Sequence, residues 1–473
     1  MIERKPLPLS ADVNRNVDGV EVSDQNTILF DGYVDENGAT VKRPGLEVFY
    51  DFATGLGSNL NGLFWWDNKQ VVIAVVDGKT YSISYPGAVP TVTDLTGVIL
   101  DISAKVSFAT NGTYLFMANG GRIAYTDGGA ATQWLGDADA PTQVTSVLVF
   151  DTYLLANNHN NIFYFSDVND PLSWSALSFA TATGNPDKIV ALYSFQGDLY
   201  LLGSQTVEVW ENDGTHPFIR VLGGTISTGC AAPNSVVNTE NGLFWLDNKR
   251  RFASFAGRKI EHVSTPYDKV VQEFSTVSDC IAYRTDVSGR TFLIFHFPTA
   301  QRTLCYNASQ DRWSEFGLWN SDLRAYENFL GKTSCHAEGW GVTLIGSRRE
   351  GKIYKFSPTA YTDDGTNIRF FRQTGFINHG TRSLKRNHQL IFALKRGEGA
   401  ASTNPKLVVR WQNDNEYIWS TEREIPLGAV GQSAITYRVF RTGTYNSRQY
   451  QISVTEPVPV SMVDGFEDVE VLR

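Results

Sequence analysis

Apolar and polar positions alternate in short bursts along most of this chain, and each burst ends in a Gly, Asn or Asp turn. Asn61-Gly-Leu-Phe-Trp-Trp-Asp-Asn-Lys69 returns almost unchanged as Asn241-Gly-Leu-Phe-Trp-Leu-Asp-Asn-Lys249. Looser copies are Asn111-Gly-Thr-Tyr-Leu-Phe-Met-Ala-Asn-Gly120, Phe150-Asp-Thr-Tyr-Leu-Leu-Ala156, Gln196-Gly-Asp-Leu-Tyr-Leu-Leu-Gly203, Ser288-Gly-Arg-Thr-Phe-Leu-Ile-Phe295 and Gly339-Trp-Gly-Val-Thr-Leu-Ile-Gly346. A second short strand follows most of them, as in Thr80-Tyr-Ser-Ile-Ser84 and Thr206-Val-Glu-Val-Trp210. Successive copies lie roughly 40–50 residues apart, the period of blade-type repeats. A unit of that size is one small antiparallel sheet that cannot bury both faces alone, so copies must stack. The pattern predicts an all-β protein built on a β-propeller of about six or seven blades.

The repeats set the organisation. Residues 1–54 are polar and irregular and read as an N-terminal arm; 55–360 hold the blades; 361–473 read as a C-terminal β-sandwich-like region. Helical periodicity is nearly absent from the blade region, where 267–274 is the best helical candidate. Past 361 the strands are longer and more widely spaced: Ile368-Arg-Phe-Phe371, His388-Gln-Leu-Ile-Phe-Ala-Leu394, Lys406-Leu-Val-Val-Arg-Trp411, Thr436-Tyr-Arg-Val-Phe440 and Arg448-Gln-Tyr-Gln-Ile-Ser-Val454. In the last, Arg448, Tyr450, Ile452 and Val454 would face one way and Gln449, Gln451 and Ser453 the other, as in a half-buried strand. The same strands could also complete a blade.

Charge narrows the partners. The 473 residues carry a net charge of −9, whereas a protein that grips DNA through its phosphates is normally basic or bears a basic stripe. Positive charge concentrates at Lys249-Arg250-Arg251 and over 382–396. Arg382, Lys385, Arg386, Lys395 and Arg396 are the candidate subunit or partner interface. Cys230, Cys280, Cys305 and Cys335 are too few and too widely spaced for a disulfide framework and read as buried free thiols. With no apolar leader pattern after Met1 and no run of membrane-spanning length, the expectation is folding in a reducing cytoplasm.

No catalytic, cofactor or metal constellation emerges. Gly331-Lys332-Thr333 imitates the end of a phosphate loop, but Tyr326 stands where its first glycine belongs. The seven histidines form no ligand spacing, and adjacent Cys335-His336 reads as structural. Trp65, Trp66 and Trp245 could stack sugars or bases, but at alternating positions of a repeated unit they read as inter-blade packing. A carbohydrate-binding or glycosidase-like propeller is the alternative, and it would require a convergent acid pair.

The C-terminal block carries a resemblance. Val409-Arg-Trp-Gln-Asn-Asp-Asn-Glu-Tyr-Ile-Trp-Ser-Thr-Glu-Arg-Glu-Ile-Pro-Leu-Gly428 resembles a run common in tail proteins of short-tailed bacteriophages, keeping Arg410, Asp414, Trp419-Ser420 and Glu422-Arg423 but replacing paired glycines with Asn415 and Glu416. Tyr437-Arg-Val-Phe-Arg-Thr-Gly443 continues it, and Lys42-Arg-Pro-Gly-Leu46 resembles an Arg-Pro-Gly element near the start of the same proteins. The family is the packaged-DNA stabilisation protein, also called tail hub or nozzle. The resemblance implies a virion tail subunit, made in the host cytoplasm, that assembles as a homohexamer below the portal and its adaptor ring. It implies tail fibres or tailspikes and a needle or plug as partners. Packaged double-stranded DNA would pass through the channel without sequence-specific binding during genome ejection.

Overall fold

The computed structural model describes residues 1–15, 26–158, 160–182, 187–214, 217–239, 242–256, 259–263, 266–287, 289–394, 405–414, 418–428 and 437–472. Five four-stranded antiparallel sheets follow one another in chain order, at 60–94, 107–134, 146–181, 189–226 and 237–262 (blades 1 to 5). Blade 6 is formed by the four strands of 281–315. Blade 7 takes three strands from 331–357 and its outer strand, Gly45–Leu56, from ahead of blade 1. That strand pairs antiparallel with Glu350–Ser357, so the two ends of the repeat region are clasped by backbone hydrogen bonds. The first strand of each blade neighbours the next: Gly331–Ala337 of blade 7 packs on Leu60–Trp66 of blade 1, which closes the ring. Between blades 4 and 5 the contact runs through the turn Pro233–Ser235 and a hydrogen bond from the Tyr193 hydroxyl to the Val236 carbonyl, 3.2 Å.

The repeated aromatics fill the seams between blades. Phe64 of blade 1 stacks on Phe108 of blade 2 at 5.4 Å, and Trp65 meets Trp340 of blade 7 edge-on at 5.1 Å. Trp66 and Trp245 are fully buried, and the Trp245 indole donates to the Gly229 carbonyl. Buried rings at these positions are the inter-blade packing the sequence predicts. Within the blade region the helix Asp268–Glu273 falls inside the predicted 267–274.

In three blades the outer strand carries the same irregularity. Four residues lie between Trp174 and Phe179, Arg220 and Thr225, and Asp51 and Leu56, where the inner neighbour has one. Leu177 and Leu222 project from two of these bulges and Leu56 flanks the third, all exposed on the rim. Bulges of this kind break the regular edge that an outer strand would otherwise offer.

Most of the remaining strands form two sheets packed on one apolar core that includes Leu390, Phe392, Leu407, Val409, Ile452 and Met462; Gly317–Asn320 and Ala325–Asn328 make a separate hairpin, and Thr362–Asp363 with Thr366–Asn367 extends the sheet of blade 7. One sheet contains Lys385–Leu394, Tyr437–Phe440 and Ser461–Val471, together with Ile2–Pro6 and the hairpin Gly32–Val34/Thr40–Lys42. The other runs Ile28–Phe30, Phe370–Gln373, Arg448–Val454, Lys406–Asn413 and Arg423–Pro426. Ile28–Phe30 also meets the outer strand of blade 6 through a single parallel pair, Phe30 with Glu315, so the sandwich sheet and that blade are continuous. Arg448–Val454 alternates as expected but is covered on both faces. Its polar side finds partners instead of water: Gln449 donates to the Thr374 carbonyl and Gln451 to the Gln373 side chain. The described residues of 1–54 contribute strands to both units and are held there by pairing.

Candidate functional site

The basic cluster divides according to strand alternation. Lys385 and Arg386 are consecutive in the strand Lys385–Leu394, so they point to opposite faces. Lys385 is fully buried, with its ammonium caged by the carbonyls of Thr381, Ser383 and Asn446 at 2.7, 2.8 and 2.7 Å; burial lowers its pKa. It serves the fold and is not part of the exposed surface. Arg386 and Arg382 are exposed. Lys395 and Arg396 lie outside the described residues.

Arg386 belongs to a ladder of mixed charge on the outward face of its sheet. Across one row, Arg4 makes a two-point contact with Asp468 (Nε 2.8 Å, Nη2 3.1 Å), and Gln389 donates to the same carboxylate. In the next row Glu470, paired in register with Arg386, hydrogen-bonds the His388 ring at 3.1 Å. The hydrogen bond from Arg4 holds Asp468 below the usual carboxylate range, and that from His388 does the same for Glu470. Sequence reading passed over Arg4, Asp468 and Glu470 because their positions, over 460 apart, become neighbours only when Ile2–Pro6 joins Ser461–Val471. A surface that presents both signs in register suits recognition of protein and not neutralisation of a phosphate backbone.

Beneath this ladder Glu467 is buried, accepting hydrogen bonds from Asn387 at 2.9 Å, Tyr445 at 2.8 Å and Tyr450, and facing the His379 ring at 2.6 Å. Every lone pair is engaged, which is how a buried carboxylate is tolerated. Arg448 and Arg372 are buried too, the latter with its Nε unpartnered. Arg448 donates to Asn413 and Thr442, and Arg372 donates to the Ala11 carbonyl at 2.6 Å; burial lowers both to about 10.

The Lys42-Arg-Pro-Gly-Leu46 element is a buried latch. Arg43 donates to Asp31 at 2.7 Å and to both oxygens of Asp363, and its guanidinium lies 4.8 Å from the centre of the Phe329 ring. Burial pushes Asp31 up to about 6 despite the arginine, and pushes neighbouring Lys42 down to about 7. Gly45 passes so close to the strand Thr362–Asp363 that a Cβ would sit 2.2 Å from the Thr362 carbonyl oxygen. Only glycine permits this approach.

The propeller bore is a cavity of about 1340 Å³ lined by Lys105, Tyr193, Arg284, Asp286 and His336 among others. Lys105 precedes blade 2 and its ammonium reaches the Ala282 carbonyl of blade 6 at 3.1 Å, so one side chain bridges the bore. Burial lowers its pKa to about 8. While the Lys105 contact holds, the bore is obstructed at this level. Gly331-Lys332-Thr333 lies at the start of a strand and not before a helix, so it forms no phosphate cradle. Among the described residues no three His, Cys, Asp or Glu side chains converge as for a metal. His296 is buried with its pKa pushed down to about 3, bonded to Thr303, and all four thiols are free. His159 and His216 lie outside the described residues. No helix among the described residues is long and apolar enough to cross a membrane.

Among solved structures the chain is similar to the WD40 β-propeller domain of Doa1, at 12% identity and a TM-score of 0.41, covering 67% of this chain and 97% of that one. It is also similar to BamB from Moraxella catarrhalis, at 10% identity and a TM-score of 0.39, covering 75% and 96%. Likenesses this loose say nothing about function. No curated protein sequence matches the chain. The family described as Bacteriophage P22 Gp10, beta-propeller, matches residues 29–361, from the strand that joins blade 6 to the sandwich through the last strand of blade 7, and the chain belongs to that phage stabilisation family.

Proposed function

We propose that this chain is a structural subunit of a short phage tail. It forms a ring or tube, most simply of six copies, below the portal and its adaptor. There it retains packaged DNA, anchors fibres or tailspikes, and conducts the genome during ejection. The observation that carries this reading is family membership across the whole propeller. Two features of the chain support its details. The Lys105 contact across the bore supports a DNA path along an axis between subunits and not through one propeller. The net charge of −9 makes a wall that repels phosphates, letting the duplex slide with its own counterions. The protein acts by shape and contact; no chemistry is assigned to it. It is made in the host cytoplasm and resides in the virion tail.

The reading is tested in a phage lacking this gene product. Heads should fill and then leak DNA, and adding the purified chain to tail-less heads should restore both retention and infectivity. Virions that keep and eject their DNA normally without the chain would overturn it.

A further inference from the structure

We infer that the strand Ile2–Pro6 is exchanged between copies of this chain, each copy laying it on the strand Ser461–Val471 of its neighbour. Within one copy the strand pairs antiparallel with residues 466–470, in the register Ile2 with Glu470, Arg4 with Asp468 and Pro6 with Phe466. Four of its five residues are exposed, and Ile2 remains 54% exposed. Its attachment therefore rests on backbone hydrogen bonds and the Arg4–Asp468 contact, with almost no apolar burial. Those same terms are available from any other copy without loss.

The point of release is built in. Leu7 and Leu9 are buried in the sandwich core, and Gly465 lacks the Cβ that would sit 2.6 Å from the Leu9 side chain, so the chain is pinned immediately after Pro6. Pro6 and Pro8 flank that pin and restrict the backbone there. Once released, the segment uncovers a row of unpaired N–H and C=O groups along 466–470, an edge that proteins seldom leave open. Six residues reach about 20 Å when extended. A neighbour's edge within that distance is filled by the same strand, and exchange around a closed ring satisfies every edge. The mixed-charge ladder containing Arg386, His388 and Glu470 then lies at the subunit boundary. The inference deepens the tail-subunit reading and rests on it for the presence of neighbouring copies.

Mixing two full-length variants tests it. Arg4→Cys and Asp468→Cys place thiols at directly opposed antiparallel positions, about 4.5–5.5 Å apart at Cα, within disulfide range. After mild oxidation at high protein concentration and in reconstituted tails, the mixture should yield a covalent dimer on non-reducing gels that neither variant yields alone. The double variant, oxidised when dilute, should close within one chain. The inference is overturned if the mixture gives no more dimer than the single variants, or if the double variant fails to close at all. Exchange by purified subunits that never enter virions would instead remove the tail-subunit reading and leave strand exchange standing.

Discussion

Arg43 donates to both carboxylate oxygens of Asp363, 320 positions further along the chain, with both side chains about 1% exposed. The contact joins the segment entering blade 7's outer strand to the strand that leaves the propeller. The ring closure of the fold therefore rests on a charged pair as well as a strand pair. Truncating one partner of such a pair leaves a buried, uncompensated charge. Arg43→Ala is expected to lose about 3–5 kcal/mol, and Arg43→Lys to lose part of that because an ammonium cannot reproduce the two-point fork. Denaturant unfolding of the purified subunit measures both. A variant within experimental error of wild type would show that the latch does not support the ring.

Next to it, Lys42 gives stability a pH dependence. Its ammonium donates to the Glu456 carbonyl at 2.8 Å, and burial pushes its pKa down to about 7. An unfolded lysine titrates near about 10.4. Between these values the unfolded chain holds a proton that the folded chain has released, so stability rises with pH across that window and is flat below it. Asp31 works in the other direction: burial raises it to about 6, so its contribution is present below about 4 and lost as pH rises through 6. From pH 7 to 10 the urea midpoint of the wild type should rise relative to that of Lys42→Met, the four free thiols being common to both proteins. Parallel curves for the two proteins would mean that Lys42 does not titrate in the folded state.

Much of this was legible in the sequence, and what was not has a physical cause. The Asn-Gly-Leu-Phe-Trp repeats mark inner strands because those positions alternate locally, and local alternation is visible in one chain. Gly45–Leu56 was read with the arm because its partner, Glu350–Ser357, lies some 300 residues away and leaves no local trace. Likewise Lys385 looked like its neighbour Arg386 in a charge census. The strand was expected to begin at His388, whereas it begins at Lys385, and alternation sends that lysine inward. The Arg4–Asp468 contact had no sequence signal at all, since neither residue stands in a recurring pattern.

Lys105 separates two routes for DNA. If the genome passed through individual propellers, removing the side chain that bridges the bore would ease its passage. With the route between subunits, Lys105→Met should eject at the wild-type rate in a DNA-release assay on purified virions. Faster release from the variant would place the duplex inside the propeller.

The basic cluster yields the sharpest contrast, because adjacent lysine and arginine have opposite surroundings. Arg386 is exposed beside Glu470, so Arg386→Glu should shift subunit stability by no more than about 0.5 kcal/mol, as surface changes usually do. The same change sets two carboxylates side by side across the ladder, and incorporation into tails should fall. Lys385→Glu instead turns a carboxylate toward the carbonyls of Thr381, Ser383 and Asn446, an uncompensated buried charge that costs about 3–5 kcal/mol. That variant should fail at folding, before assembly begins. Thermal melts of the free subunit combined with tail reconstitution read the two effects apart. If Arg386→Glu assembles normally and only the ejection rate changes, the outward face of this sheet lines the channel and is not a subunit boundary.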